Sequence, residues 1–224
     1  MIFIFLGVFK VKLGKVHAII PFKLEGAKSR LSNVMSMDER EEFSFKMLQD
    51  VLKSLNPLDM KVSILSTSEI ELDGYDILIS KRRLNDALNE ILSEEKEKNP
   101  VLILMSDLPL ITSKIVERIL ERGEDVVIVP GRKGGTNVLF IRDPSRFKAD
   151  YYGISFKNHE EIARKNGLSY YICDSMLAGT DIDEEEDLLD LLIFGNGKAR
   201  DYLREIGFSV KITREKVFLA RRLR

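Results

Sequence analysis

The sequence predicts an α/β fold, a single domain built on a mostly parallel central sheet flanked by helices. Three observations lead there. Short apolar runs alternate with amphipathic stretches almost from end to end, the pattern of repeated strand–helix units. Val101–Met105 is continuously apolar and Val16–Phe22 is so apart from His17, as strands covered on both faces require. The 224 residues are 44% hydrophobic and 32% charged, enough apolar surface for one sizeable core, and no repeat or low-complexity linker divides them.

Val16–Phe22 opens the sheet of a domain expected over residues 16–224. Residues 1–15 read as an N-terminal extension, with an upstream start codon or an added β-strand as alternatives. Their apolar run, Ile2–Phe9, is broken by Gly7 and lacks a preceding basic stretch. It falls far short of the ~20 residues a membrane span needs, so no membrane partner is expected. After the first strand, Ser36 and Glu39 have the spacing of a capping box. The helix behind them carries Phe43, Met47, Leu48, Val51, Leu52 and Leu55 on one stripe.

Lys61–Ser66 and Asp76–Ser80 read as short strands, and Leu84–Glu97 as a helix. Val101–Met105 follows as a buried strand, and Thr112 opens a helix running to Arg122 that Gly123 stops. Asp125–Val129 and Val138–Ile141 are strands on either side of the loop PGRKGGTN. Lys157–Asn166 is a helix closed by Gly167, Ser169–Cys173 a strand and Glu184–Phe194 a helix. The tail adds a short helix, one strand and a basic end.

Charge and cysteine content narrow the function. Lys+Arg total 35 and Asp+Glu 36, so there is no global basic field and no nucleic-acid partner is expected. Phosphate chemistry must then rest on local charge. A single cysteine, Cys173, excludes an internal disulfide framework and fits a reducing cytoplasm. It has no His–Asp partner that would make it a nucleophile, and no spacing supports a zinc site.

In parallel α/β sheets ligands sit at the carboxyl ends of the strands, so the loops there carry the argument. KLEGAKSRL follows the first strand. Gly26 permits close backbone approach, Lys23, Lys28 and Arg30 supply cations, and Ser29 a hydroxyl. A P-loop is excluded, because Ala27 separates the glycine from the lysine and no earlier glycine fits. Asp107, after the strand Val101–Met105, is placed to bind magnesium, which takes one or two carboxylates plus substrate phosphates. In GTDIDEEED, Asp181 and Asp183 are two apart and point to one side of an extended segment, while Glu184–Asp187 are first-turn helix acids. Taken singly, the basic loop reads equally well as a solvated turn, Asp107 slightly better as a helix cap or turn aspartate, and the acidic run better as a solvated face. Gly134, Gly135, Thr136 and Asn137, with Gly153, Ser155 and His159 in YYGISFKNH, suit a small anionic substrate better than a nucleobase. His17, within a strand, reads as structural.

From Val16 almost to the end the chain resembles the CofC family, the 2-phospho-L-lactate guanylyltransferases of coenzyme F-420 biosynthesis. These belong to the nucleotidyltransferases with a GT-A-like fold. The resemblance rests on IPFKLEGAKSRL, MLQDVL, SDLPL, GGTN, YGISF with its following NH, and DIDEEEDL. SDLPL alone is common among nucleotidyltransferases, whereas GAKSRL, GGTN and YGISF in this order are specific. The YGISF turn is one residue shorter than the family's common form.

The resemblance implies that GTP and 2-phospholactate give lactyl-2-diphospho-5′-guanosine and pyrophosphate. It implies that Lys23, Gly26, Lys28 and Arg30 hold the GTP phosphates, with Lys28 and Asp107 catalytic, and that Leu84 and Asn85 lie at the base pocket. Asp107, Asp181 and Asp183 would hold magnesium, and Thr136, Gly153 and Ser155 the acceptor, a small phosphorylated carboxylic acid. A related enzyme using phosphoenolpyruvate or 3-phosphoglycerate is the nearest alternative. A GT-A sugar transferase and a non-catalytic nucleotide-binding protein are more distant ones. The tail and the apolar N-terminus would suit a homodimer.

Overall fold

A computed structural model of the chain describes residues 15–95 and 99–222. The expected N-terminal extension, apart from Lys15, lies outside the described residues. A seven-stranded sheet has the order β3-β2-β1-β4-β6-β5-β7. Its strands are β1 (Val16–Phe22), β2 (Met60–Ser66), β3 (Asp76–Ile79), β4 (Val101–Leu104), β5 (Val126–Pro130), β6 (Thr136–Ile141) and β7 (Tyr170–Ile172). All neighbours pair in parallel except β6, which runs antiparallel to both β4 and β5.

Alternation along the strands builds two cores. On one face Ala18, Ile20, Leu102, Leu104 and Phe140 pack against α1 (Met37–Leu55) and α3 (Ser113–Leu120). On the other, Ile19, Ile103, Ile128, Leu139 and Ile141 pack against α2 (Leu84–Glu94) and α4 (Ser155–Lys165). The period-two exchange of faces within each strand makes the sheet a two-sided wall, which explains the apolar runs.

A third cluster joins Leu31, Phe43 and Met47 to α5 (Glu185–Phe194), α6 (Lys198–Glu205) and Phe208. Buried Asp50 of α1 accepts from the Lys198 and Ala199 amides at 2.7 and 2.9 Å, and so caps α6. Among the described residues no helix is long and apolar enough to cross a membrane.

Most expected elements occur where the pattern puts them, and the Ser36–Glu39 capping box forms in full. α2 is shorter than expected, ending at Glu94, and residues 96–98 lie outside the described set. Thr112 sits at the start of α3 but makes no side-chain capping bond. α4 begins two residues early, at Ser155. The tail holds two strands rather than one, β8 (Phe208–Ile212) and β9 (Val217–Arg221), paired as an antiparallel hairpin apart from the main sheet. Its outer positions are exposed, so neither strand shows the burial alternation a sequence reader uses.

His17 is structural as read: it is 5% exposed, with Nε2 at 2.9 Å from Ser63 Oγ and Nδ1 at 3.0 Å from Glu95. Burial raises the Cys173 thiol above its ordinary pKa, the opposite of an activated nucleophile.

Candidate active site

β1 lies between β2 and β4. The chain leaves β1 for one side of the sheet and returns to β4 on the other. The loops after these two strands therefore diverge and leave a crevice at their carboxyl ends. A cavity of about 440 Å³ opens there, and Lys23, Gly26, Lys28, Leu84, Asp107 and Asp183 line it. A larger cavity, about 970 Å³ between β3 and α2, holds none of the site residues expected from the sequence.

Lys28 is the centre of this crevice. Its backbone is left-handed, with φ 52° and ψ 44°, and it is the single positive-φ residue other than glycine among those described. An L side chain there costs about 1–2 kcal/mol, so the surrounding contacts must hold it. They do: the ammonium donates to Asp107 Oδ2 at 2.8 Å and to Asp183 Oδ1. Burial by itself would lower the Lys28 pKa, but Asp107 and Asp183 outweigh it and hold the group above its ordinary value. Likewise burial alone would raise Asp183, but Lys28 and Arg30 outweigh it and hold that carboxyl below the usual range. Arg30 reaches Asp183 Oδ2 at 3.2 Å from an exposed position. The Gly26 amide donates to Glu41 at 3.0 Å, and the glycine's φ of +65° makes the turn.

The acidic loop is positioned by what lies between its acids. Ile182 is fully buried, and its amide donates to the Asp107 carbonyl at 3.0 Å. Asp187 accepts from the amides of Asp183 and Glu184 at 3.0 and 2.8 Å and completes a reciprocal capping box with Glu184. Glu184 is thus the N-cap of α5 and Glu185, Glu186 and Asp187 its first turn, the helix-start acids the sequence suggests. Asp181 differs from Asp183: burial first, then the charge of Asp107, raise its pKa. Its side-chain partner is the Asn137 amide at 3.3 Å, which also donates to the Ala178 carbonyl at 2.9 Å.

The donor set has the chemistry magnesium prefers, hard carboxylate oxygens beside a phosphate-sized crevice. Asp181 stands close to Asp107 and Asp183, and burial first, then their charges, disfavour its ionised form. Among the described residues no three ligands close on one point as a full protein cage would. Magnesium in nucleotide sites does not require such a cage, because phosphates and water complete its shell.

The expected acceptor residues form a second group. Thr136 starts β6 and Ser155 starts α4, and Ser155 Oγ lies 3.2 Å from Thr136 Oγ1. Gly153, at φ +60°, turns the chain into α4, and the Phe156 amide donates to the Gly134 carbonyl at 3.2 Å. The 131–135 loop is tied on its far side to α5 and its entry, through Lys133–Glu184 and Arg132–Asp190 at 2.6 Å each. It thus lies between the acidic loop and the 153–155 turn. Leu84 lines the crevice, but Asn85 turns elsewhere. Its amide donates to Asp150 and accepts from the Tyr151 N–H, both at 2.8 Å.

Two residues of the PGRKGGTN segment stand beside Asp181: Asn137, which the sequence pointed to, and Gly131, which it did not. Asn137 orients Asp181, and Gly131 leaves room for it, since a Cβ at 131 would stand 2.5 Å from Asn137 Oδ1. The signal was the composition of PGRKGGTN, although nothing in it pairs Gly131 with Asn137.

The family model described as "Guanylyl transferase CofC like" matches residues 16–222. The chain belongs to the CofC family. It is 47% identical over 192 residues to the 2-phospho-L-lactate guanylyltransferase of Methanoregula boonei, covering 86% of this chain and 89% of the relative. It is also 47% identical over 208 residues to the protein of that name from Methanosarcina mazei, covering 91% and 99%. The fold recurs in a nucleotide-diphospho-sugar transferase structure from Desulfovibrio desulfuricans, at TM-score 0.70 and 18% identity, over 86% of this chain and 95% of that one. It recurs in 4-diphosphocytidyl-2C-methyl-D-erythritol synthase, at TM-score 0.56 and 10% identity, over 80% and 98%. The CofC chain is thus a nucleotidyltransferase of the GT-A-like fold.

Proposed function

We propose that this CofC-family chain joins GTP and 2-phospho-L-lactate, forming lactyl-2-diphospho-5′-guanosine and releasing pyrophosphate. The observation that carries the reading is the 47% identity to relatives bearing that activity as their name, across 99% of one of them. The crevice chemistry supports it.

The nucleophile is a phosphate oxygen of the acceptor. With a second pKa near ~6 that phosphate is largely dianionic at neutral pH and needs no strong general base. Its oxygen bonds to the α-phosphorus of GTP, and the bond from that phosphorus to the β-phosphate oxygen breaks with its electron pair. The obstacle is repulsion between two polyanions. Lys23, Lys28 and Arg30 meet it by binding phosphate oxygens and holding attacker and leaving group in line. Asp107 and Asp181, with Asp183 beside them, would hold magnesium, which neutralises further phosphate charge when bound. Phosphates would then exchange for carboxylates around the Lys28 ammonium. Leu84 would pack near the base, Asn85 would brace the wall behind it, and Thr136, Gly153 and Ser155 would receive the acceptor.

Incubating the enzyme with GTP and each of 2-phospholactate, phosphoenolpyruvate and 3-phosphoglycerate tests the reading, with products identified by mass spectrometry. Lactyl-2-diphospho-5′-guanosine plus pyrophosphate is expected. Faster turnover of either other acid would reassign the acceptor, and nucleoside diphosphate as product would make the chain a sugar transferase.

A further inference from the structure

His159 is one of two histidines and is fully buried, and it is not among the residues that line the crevice. Its ring lies edge-on to Tyr151, with centroids 4.9 Å apart, and 5.9 Å from Phe147. Both ring nitrogens are engaged. The Asp150 backbone N–H donates to Nε2 at 3.0 Å, and Nδ1 lies 2.9 Å from Thr136 Oγ1. A backbone N–H can only donate, so Nε2 must be the bare nitrogen and Nδ1 must carry the proton. Burial also holds the imidazole's pKa down to about 4, so the ring is neutral and carries one proton.

The consequence falls on two hydroxyls. Nδ1–H donates to Thr136 Oγ1, so Thr136 cannot donate to the ring. Thr136 and Ser155 share one hydrogen bond. Whichever way it runs, it uses one of their two hydroxyl protons and leaves the other over. Among the described residues no further acceptor takes that proton. Thr136 is 3% exposed and Ser155 2%, so the leftover donor is costly until an oxygen arrives to accept it. With the opposite tautomer, Thr136 would donate to the ring and Ser155 to Thr136, leaving no donor at all.

We infer that His159 is a positioning residue that compels the Thr136–Ser155 pair to offer one hydroxyl donor to an anionic group of the acceptor. This rests on the acceptor role given to the pair above. His159 touches no substrate; the Asp150 amide sets its tautomer, and the tautomer sets the pair. Asp150 is in turn held by Asn85, so the relay begins on the helix beside the nucleotide crevice.

The experiment uses the full chain and steady-state pyrophosphate release with GTP and 2-phospholactate. H159L accepts nothing, so the pair keeps its spare proton but loses the Nδ1–H that directs it; KM for the acceptor should rise about tenfold and KM for GTP stay within about twofold. H159N, whose amide can donate from near the Nδ1 position, should recover most of the loss. In a Thr136→Val background H159L should add almost nothing, because the hydroxyl it acts through is gone. Equal rises in both KM values, no rise, or an undiminished effect in that background would overturn the inference. If H159L does not fold, ¹⁵N NMR of the wild-type imidazole decides: the Nδ1–H tautomer is expected, and Nε2–H overturns the inference. Absence of pyrophosphate release by the wild type with every acceptor would defeat the functional reading instead, and the tautomer measurement would still stand as a separate test.

Discussion

Lys28 Nζ lies 2.8 Å from Asp107 Oδ2, although 79 positions separate the two residues. The loop after β1 and the loop after β4 meet through this pair at the point where the sheet order reverses. In the function proposed above, Lys28 exchanges these carboxylates for phosphate oxygens of a polyanionic substrate. Lys28→Ala should therefore lower kcat/KM for GTP by about 10²–10³, with a much smaller change in acceptor KM. Equal losses for both substrates in steady-state kinetics would remove the loop from the role proposed for it.

Asp181 tests the other side of the site. Its carboxylate is raised by burial and by Asp107, so in the absence of a cation it stands in unfavourable surroundings. Asp181→Asn keeps the shape and an acceptor for Asn137, yet loses the charge. The metal-free variant should match or exceed the wild-type Tm, by up to ~2–4 °C, while transfer with magnesium falls at least ~100-fold. Magnesium should raise the wild-type Tm and leave that of the variant unchanged, measured by thermal shift without substrates.

Gly131 has room for no side chain, since a Cβ there would approach Asn137 Oδ1 to 2.5 Å and Asp181 Oδ1 to 3.2 Å. Gly131→Ala should displace the Asn137–Asp181 contact and cost about tenfold or more in turnover. Gly123→Ala is the control, because a Cβ at 123 meets nothing within 4 Å. Similar turnover in the two variants would dismiss the proposed crowding.

Asp50 and Gly197 concern stability alone. A Cβ at 197 would collide with the Asp50 carboxylate that caps α6. Asp50→Ala should lower stability by about 1–2 kcal/mol, the worth of a helix cap, and leave kcat near wild type. Urea unfolding and pyrophosphate release measure the two effects separately.

His159 gives a pH dependence with a definite sign. Burial first, with Asp150 opposing weakly, lowers its pKa from 6.5 to about 4 in the folded protein. Between those values the unfolded chain binds more protons than the folded one. The stabilising contribution is complete above pH 6.5 and is lost as pH falls through about 4. It amounts to at most about 3 kcal/mol. Unfolding free energies of H159N against wild type, taken from pH 7 to pH 4, should show a shallower decline in the variant. Parallel curves would mean that the imidazole titrates normally.

Much of this molecule was legible from residue pattern because its signals are local. The apolar run at Val101–Leu104 and the stripe from Phe43 to Leu55 state their burial in their own periodicity, and Ser36 with Glu39 states where a helix begins. Spacing also divided Asp181 and Asp183 from the helix-start acids behind them, and Ile182, buried between the pair, is the physical reason. The hairpin β8–β9 was half missed because its strands are largely exposed and carry no clear alternation.

The sequence by itself determined the αβ layering, the chemistry gathered in each loop and membership of the CofC family. Tertiary structure alone decided which groups face one another. Lys28 is shared by Asp107 and Asp183, Asp181 is left to Asn137, Asn85 braces Asp150, and His159 meets Thr136. The reason is physical. A residue's own propensity and periodicity act over a few positions and can be read along the chain. Hydrogen bonds and charge pairs depend on distances that exist only once the sheet order has brought remote loops together.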